Sequence, residues 1–353
     1  MKLALASDAW HPQVNGVVRA LSETERRLRS RGWTVELLTP DRFRTIPCPT
    51  YPEIRLALGC GRAVAARLDA FAPAAVHIAT EGPVGLAARR WCVRNGRPFT
   101  TSFHTRFPDY VAVRTGLPAD WIWPMIRRFH APAERVFAVT PTLASELAER
   151  RIGPVHRWPL GADLGLFSPS TGPHPALALL PRPILLSVGR VAVEKNLAAF
   201  LAADVPGTKV VVGDGPALPE LRAAFPQAIF LGALHGPELA AAYAAANLFI
   251  FPSRTDTFGL VNIEALASGL PVAGFPVPGP RDILGPRGTG THGGDRRIGA
   301  VHEDLAVAIR LALDADRAAC VREAAHYDWE RCTDAFVAGL ATVSELAPSL
   351  AFA

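Results

Sequence analysis

Pro252-Ser253-Arg254-Thr255-Asp256-Thr257-Phe258-Gly259-Leu260-Val261-Asn262-Ile263-Glu264-Ala265-Leu266-Ala267-Ser268-Gly269-Leu270-Pro271 is the stretch on which the reading of this chain turns. It follows the apolar run Leu248-Phe249-Ile250-Phe251 and turns at Pro and Ser. It then opens a helix with two carboxylates eight positions apart, Asp256 in the turn and Glu264 in the helix. Such a strand-to-helix turn aims backbone N–H groups and the positive end of a helix at whatever lies above the sheet, and phosphate is the anion that suits it. Asp256, just ahead of the helix, equally suits an N-cap. The turn alone leaves cap and site both open.

The rest of the chain supplies the context. Its 353 residues are enough for two domains with separate cores. With 49% hydrophobic residues it reads as a soluble globular protein, and no run approaches the roughly 20 apolar residues of a membrane span. Met1 to Ser7 runs directly into a strand-like pattern without a signal segment, so a cytoplasmic protein is expected. Cys48, Cys60, Cys92, Cys320 and Cys332 are odd in number and widely spaced, which indicates neither a disulfide framework nor a zinc site. Charge is unevenly spread: residues 1–170 hold 23 Lys and Arg against 14 Asp and Glu (+9), residues 171–353 hold 14 against 18 (−4). A basic first half attracts nucleic acid, an acidic substrate or an anionic membrane face, or is simply an Arg-rich solvated surface. Nucleic acid is not the expected partner, because no recognised motif gathers the arginines.

In order, Leu3–Ser7 reads as a strand, Asp8 to Gly16 as a loop, and Val17, Ala20, Leu21 and Leu28 recur at helical spacing. Asn15-Gly16 at the helix start offers backbone N–H groups to a phosphate or is an ordinary turn. Strands at Val35–Leu38, Ala75–Ile78, Phe99–Phe103 and Val136–Val139 alternate with helical segments. That alternation predicts a mostly parallel sheet covered on both faces, with ligands at the carboxyl ends of the strands. His104 and Arg106 sit just past one such end, where a functional or a structural His fits. Trp121-Ile122-Trp123-Pro124-Met125-Ile126-Arg127-Arg128-Phe129-His130 mixes aromatics with paired arginines. It suits a membrane interface, or a core helix with two exposed arginines.

A Pro-rich linker at 169–181 leads to a second α/β series. Ile184–Val188 is a strand, and Arg190 and Lys195 in the loop after it can clamp a diphosphate or be merely solvated. Lys209–Val212 leads to the turn Gly213-Asp214-Gly215-Pro216, and Pro271–Phe275 is the last strand read. Gly288–Gly294 is expected to be a flexible loop. Asp314-Ala315-Asp316, far from these loops, reads as a surface feature rather than a metal motif.

Asn15-Gly16-Val17-Val18, Phe103-His104-Thr105-Arg106-Phe107, Gly189-Arg190 with Glu194-Lys195-Asn196, Gly213-Asp214-Gly215 and Thr257-Phe258-Gly259-Leu260-Val261-Asn262-Ile263-Glu264-Ala265 resemble the retaining glycosyltransferases of family four. The resemblance covers nearly the whole chain and is nearest the bacterial mannosyltransferases acting on phosphatidylinositol or diacylglycerol lipids and the sulfoquinovosyl and glucuronosyl glycerolipid synthases. It implies the GT-B fold, an α/β architecture of two Rossmann-like domains with parallel sheets facing an inter-domain cleft. The expected domains are 1–168, with a final helix at about 327–353 packing back on it, and 182–326.

The resemblance further implies a donor that is a nucleotide diphosphate sugar, GDP-mannose or a UDP-hexose or UDP-hexuronate, and an acceptor that is a membrane lipid. The protein would then be peripheral on the inner membrane face, with no metal or other cofactor and an open oligomeric state. Arg190 and Lys195 would hold the diphosphate, Glu264 the ribose, and Gly16 with the N–H groups of Leu260 and Val261 the phosphates, with Gly213, Phe258 and Gly259 completing the donor site. His104 and Asp256 would be catalytic, beside the transferred sugar, and Asp256 stands where the family's E-x7-E pattern has Glu. Trp10, Arg106, Tyr110, Trp121, Trp123, Arg127 and Arg128 are candidates for acceptor or membrane contact. The same chemistry on a soluble sugar or sugar phosphate, or a non-catalytic nucleotide-sugar-binding protein, are the alternatives.

Overall fold

Each of the two strand-and-helix series closes into its own parallel sheet. A computed structural model describes residues 1–13, 15–48, 51–104, 106, 108, 116 and 118–343, with side chains at 51–53 excepted. The chain divides into two units: Met1–Pro159 with the stretch from Glu330 onward, and Leu160–Trp329.

The first unit runs β1 (Lys2–Ala6), α1 (Gly16–Ser30), β2 (Thr34–Leu38), the hairpin β3 (Thr45–Cys48) and β4 (Tyr51–Ala57), α2 (Gly61–Phe71), β5 (Ala75–Ile78), α3 (Pro83–Arg94), β6 (Thr100–Phe103), α4 (Trp123–His130), β7 (Arg135–Ala138), α5 (Pro141–Glu149) and β8 (Val155–Arg157). Its sheet has the order β2-β1-β5-β6-β7-β8, every pair parallel. The β3–β4 hairpin has no clear signature in the sequence, because Pro47 and Pro52 break the strand pattern that would announce it.

The second unit runs α6 (Pro175–Ala178), β9 (Ile184–Val188), α7 (Leu197–Ala202), β10 (Thr208–Val212), α8 (Leu218–Ala224), β11 (Ile229–Gly232), α9 (Gly236–Ala245), β12 (Leu248–Phe251), α10 (Leu260–Ala267), β13 (Val272–Gly274), α11 (Pro278–Leu284), β14 (Gly299–Val301), α12 (Leu305–Ala312) and α13 (Arg317–Ala324). The sheet order is β11-β10-β9-β12-β13-β14, again all parallel. Parallel strands buried on both faces require continuous apolar runs, and Leu248–Phe251 and Ile184–Leu186 are such runs.

The Gly288–Gly294 loop, expected to be flexible, is tethered. The buried Glu323 carboxylate accepts from the Thr291 N–H at 3.0 Å and lies 2.8 Å from His292 Nδ1. A carboxylate taken out of water needs such donors, and the loop supplies them. Asp316 is the N-cap of α13, accepting from the Ala319 N–H at 2.7 Å.

The last described helix, α14 (Trp329–Gly339), is attached to the first unit by aromatic packing. Phe336 is fully buried against His77, Phe137 and Trp158 at ring distances of 4.9, 5.6 and 5.0 Å. The Trp158 indole donates to the Cys332 carbonyl at 3.2 Å. Past the helix, Thr342 bridges Ala75 antiparallel at the sheet. On the outside Arg27 and Arg31 pair with Glu330, and Arg31 with Asp334. The Glu330 side chain is 59% exposed, so solvent screens these pairs, and such surface bridges contribute about 0–1 kcal/mol. The packing therefore dominates. Phe336→Ala should lower the unfolding free energy by about 3–5 kcal/mol, whereas Glu330→Gln should change it by less than about 1 kcal/mol, both read by urea denaturation.

Candidate active site

In the second unit the strand order reverses between β9 and β12, which pair through Leu185–Leu248 and Leu186–Phe249. In an open parallel sheet the crevice at such a reversal, outside the carboxyl ends of the strands, is where ligands are received. The loop after β9 carries Gly189, Arg190 and Lys195; the loop after β12 carries Asp256 to Gly259 and leads into α10. The two predicted groups of residues therefore border one crevice.

The first loop is supported from β10. Gly189 donates its N–H to Val212 O at 3.0 Å, Val191 to Asp214 O at 2.9 Å, and Ala217 to Val191 O at 3.0 Å. Gly213 sits at φ +144°, and a Cβ there would run into the Gly189 carbonyl, so the close layering of the two loops requires glycine. Arg190 is half-buried in this layered loop.

Gly259, at φ +77°, is the residue that precedes α10. This overturns the reading of Asp256 as the helix cap: Asp256 lies three residues too early, and a left-handed Gly makes the turn. A Cβ at Gly259 would meet Asn262 Nδ2 at 2.7 Å and the Phe251 ring at 2.8 Å. The first-turn N–H groups of Leu260 and Val261 open α10, where a helix has no internal acceptor to offer them. Phe258 is buried.

Asp256 has another partner. Lys195 Nζ donates to its Oδ1 at 2.6 Å and its Oδ2 at 2.7 Å. The structure thus joins two residues predicted separately. Glu264, on α10, is only 1% exposed. Its Oε2 accepts from the Tyr243 hydroxyl on α9 at 2.9 Å, and the same hydroxyl lies 3.5 Å from Val261 O. Tyr243 received no role from the sequence. Its spacing to Glu264 is not a motif, and only the tertiary hydrogen bond reveals the pair.

In the first unit the order reverses between β1 and β5. Asp8, just past β1, is buried, and its carboxylate accepts from the N–H groups of Val84 at 2.8 Å and Gly85 at 3.1 Å, and from the Thr80 hydroxyl at 3.0 Å. It therefore satisfies the open first turn of α3 from another strand, a role the sequence reading did not assign. Burial pushes its carboxyl upward against the lowering effect of these bonds.

Gly16 is the exposed first residue of α1, with Asn15 as the N-cap accepting from Val18 N–H at 3.0 Å. Trp10 is half-buried, its ring edge-on to His11 at 5.5 Å. His104 lies just past β6, 8% exposed, edge-on to Trp158 at 5.3 Å. Burial pushes its imidazole down to about 4, so it is neutral at physiological pH.

The candidates for acceptor or membrane contact separate. Tyr110 lies outside the described residues. Arg106 forms a two-pronged pair with Glu146 at 2.6 and 3.1 Å, so its guanidinium braces α5. Trp123 is 3% exposed, stacked on Phe103 at 5.6 Å with the Arg150 guanidinium over its ring at 3.9 Å. The expectation that Trp123 meets a membrane is corrected: the amphipathic α4 turns Trp123, Ile126 and Phe129 inward. Trp121 and Met125 point outward at 72% and 56% exposure, beside exposed Arg127 and Arg128. Arg89 laces α3 to α4 by donating to Phe129 O at 2.7 Å and Arg128 O at 2.8 Å. On α3, Leu86, Arg90, Val93 and Arg94 are exposed as well.

Comparison with known proteins agrees with this fold. The profile of Glycosyltransferase Family 4 matches residues 14–166 and that of Glycosyl transferases group 1 matches residues 182–313. A GDP-mannose-dependent alpha-mannosyltransferase of Mycolicibacterium smegmatis is 33% identical over 315 residues, covering 82% of this chain and 84% of the relative. An alpha-monoglucosyldiacylglycerol synthase of Streptococcus pneumoniae is 27% identical over 360 residues, 89% of this chain and 78% of that protein. The fold is shared with sucrose-phosphate synthase of Thermosynechococcus elongatus, with a TM-score of 0.74 at 23% identity over 96% of this chain and 97% of that one. With two parallel α/β units and relatives of this kind, the chain belongs to glycosyltransferase family 4 and is a GT-B hexosyltransferase that uses nucleotide sugars.

Proposed function

We propose that the chain moves a hexose from GDP-mannose or a UDP-hexose or UDP-hexuronate to a membrane lipid, with retention at the anomeric carbon, while bound peripherally to the inner membrane face. The observation that carries the donor half is the joining of the Arg190–Lys195 loop to the loop that leads into α10, through Lys195 with Asp256 and Asn196 with Pro252, beside the β9–β12 pairing. A sugar leaving its diphosphate gathers positive charge at the anomeric carbon while negative charge grows on phosphate. Guanidinium, ammonium and helix N–H groups lower that barrier. In this reading Glu264 binds the ribose hydroxyls, with the Tyr243 hydroxyl donating to one carboxylate oxygen and so orienting the buried group.

His104, in the first unit, is a neutral imidazole and in this reading hydrogen-bonds a sugar hydroxyl without adding charge. Transfer without a metal fits this donor set, because the cations come from the protein.

The lipid half rests on the outward Trp121 and Met125 with Arg127, Arg128, Arg90 and Arg94. Apolar side chains of this kind enter the headgroup layer while arginines meet anionic phosphates. Among the described residues no helix is long and apolar enough to cross a membrane, so attachment through this face is what the reading requires. The name of the pneumococcal relative, a glucosyldiacylglycerol synthase, supports a lipid acceptor.

The direct test incubates the protein with GDP-mannose and a panel of UDP-sugars in the presence of phosphatidylinositol or diacylglycerol vesicles. A glycolipid product is expected, and product only with soluble sugars would transfer the reading to a soluble acceptor. In flotation at low salt the protein should rise with anionic vesicles, and Trp121→Ser combined with Arg127→Glu should leave most of it in the pellet fraction. Arg190→Ala and Lys195→Ala should each weaken nucleoside diphosphate binding by about 10- to 100-fold in calorimetry.

His104 makes a separate, signed prediction. Its folded value of about 4 lies below the ordinary 6.5, so the unfolded chain takes up the proton first. Its contribution to stability is complete above pH 6.5 and is lost as pH falls toward 4. Unfolding free energies of His104→Gln should therefore decline less on acidification across this window, by up to about 3 kcal/mol. The same substitution should depress kcat more than donor affinity.

A further inference from the structure

The sequence resemblance expected Asp256 to stand beside the donor sugar. In the structure its carboxylate is gripped by Lys195, both oxygens within 2.7 Å of the ammonium. The contact is built into the backbone as well as the side chains. Lys195 ends a short 3-10 turn, Val193–Lys195, and Asn196 follows in the left-handed region at φ +53°. The Asn196 side-chain amide donates to the Pro252 carbonyl at 3.1 Å, and the hydroxyls of Ser253 and Thr255 reach the Glu194 carbonyl at 3.4 and 3.5 Å. Three side chains thus stitch the loop after β9 to the loop after β12 around the ion pair. Side-chain exposure of Lys195 is 26% and of Asp256 16%, so the pair is partly shielded from solvent and its geometry is held by its surroundings.

From this arrangement we infer that Asp256 is the resident counter-ion of Lys195, and that a nucleoside diphosphate binds by displacing it and leaves as Asp256 reclaims the ammonium. The inference rests on the assignment of Lys195 to the donor diphosphate. Asp256 is then a positioning residue that acts through Lys195. Three consequences follow from the charges. The carboxylate neutralises the ammonium it holds, which lowers the cost of keeping Lys195 at the crevice. An incoming diphosphate carries more negative charge than one carboxylate, so the exchange runs toward the ligand. After transfer the same carboxylate competes with the product for Lys195, which weakens product binding, and release of product is the slow step in many enzymes.

The test is calorimetric titration of the full-length wild-type protein, Asp256→Asn, Lys195→Met and the double variant with GDP and with UDP, which carry no sugar. Asp256→Asn keeps the shape, removes the competing charge and leaves one acceptor oxygen in place of two. It should bind the nucleoside diphosphate about threefold to tenfold more tightly than wild type, a gain that misfolding cannot imitate, and dissociation in stopped flow should slow in proportion. The gain should be much smaller when Lys195→Met is the background.

Equal gains in both backgrounds would mean that Asp256 repels phosphate directly, overturning the inference. Unchanged GDP and UDP affinity with a raised KM for the nucleotide sugar would assign Asp256 to the sugar and overturn it too. Weaker binding with a lowered Tm would mark the pair as structural and overturn it as well. If Lys195→Met binds as well as wild type, or wild type binds neither nucleotide, the diphosphate assignment itself falls, and the inference with it.

Discussion

The candidate site depends on one pairing, that of β12 with β9. These strands are separated in the chain by β10 and β11 and their helices, yet they hydrogen-bond side by side at the centre of the second sheet. All strands of a parallel sheet end on the same side, so any two neighbours bring their following loops together. Where the order reverses, the helices that follow go to opposite faces and leave the crevice open. Without the β9–β12 ladder, Lys195 and Asp256 would be charges on unrelated loops.

Both units solve the same electrostatic problem at their reversals. A helix start and a carboxylate are brought close to the carboxyl ends of strands, and burial would make either alone costly. In the first unit Asp8 meets the open N–H groups of α3, and the two satisfy each other. In the second, Glu264 is withdrawn into the protein and takes the Tyr243 hydroxyl, while the first turn of α10 follows a left-handed glycine without a side-chain cap. One helix start is thus closed by the protein's own carboxylate; the other begins without one, in the unit that carries the cationic loop.

Several residues mean different things in sequence and in space. Asp256 before a helix reads as a cap, but glycine makes the turn and a lysine claims the carboxylate. Trp123 and Trp121 look alike in a segment of aromatics and arginines, yet one is stacked in the core and the other projects into solvent. Arg106, two residues beyond His104, looks like part of a functional cluster and is paired with Glu146 on α5. In each case the residue type suits two environments equally, and the choice is made by a neighbour distant in the chain.

The alternation of apolar runs with helical spacing determined the two parallel sheets, because a strand buried on both faces has few other compositions open to it. The glycine positions and the spaced cations and carboxylate likewise carried the family and the nucleotide-sugar chemistry, since phosphate recognition demands those groups near a helix start. What the sequence left open was every partnership. Lys195 with Asp256 and Tyr243 with Glu264 join positions 61 and 21 residues apart, and Asp8 reaches α3 across 76. A hydrogen bond is decided by distances of a few tenths of an ångström, and only the assembled strands bring such atoms within reach.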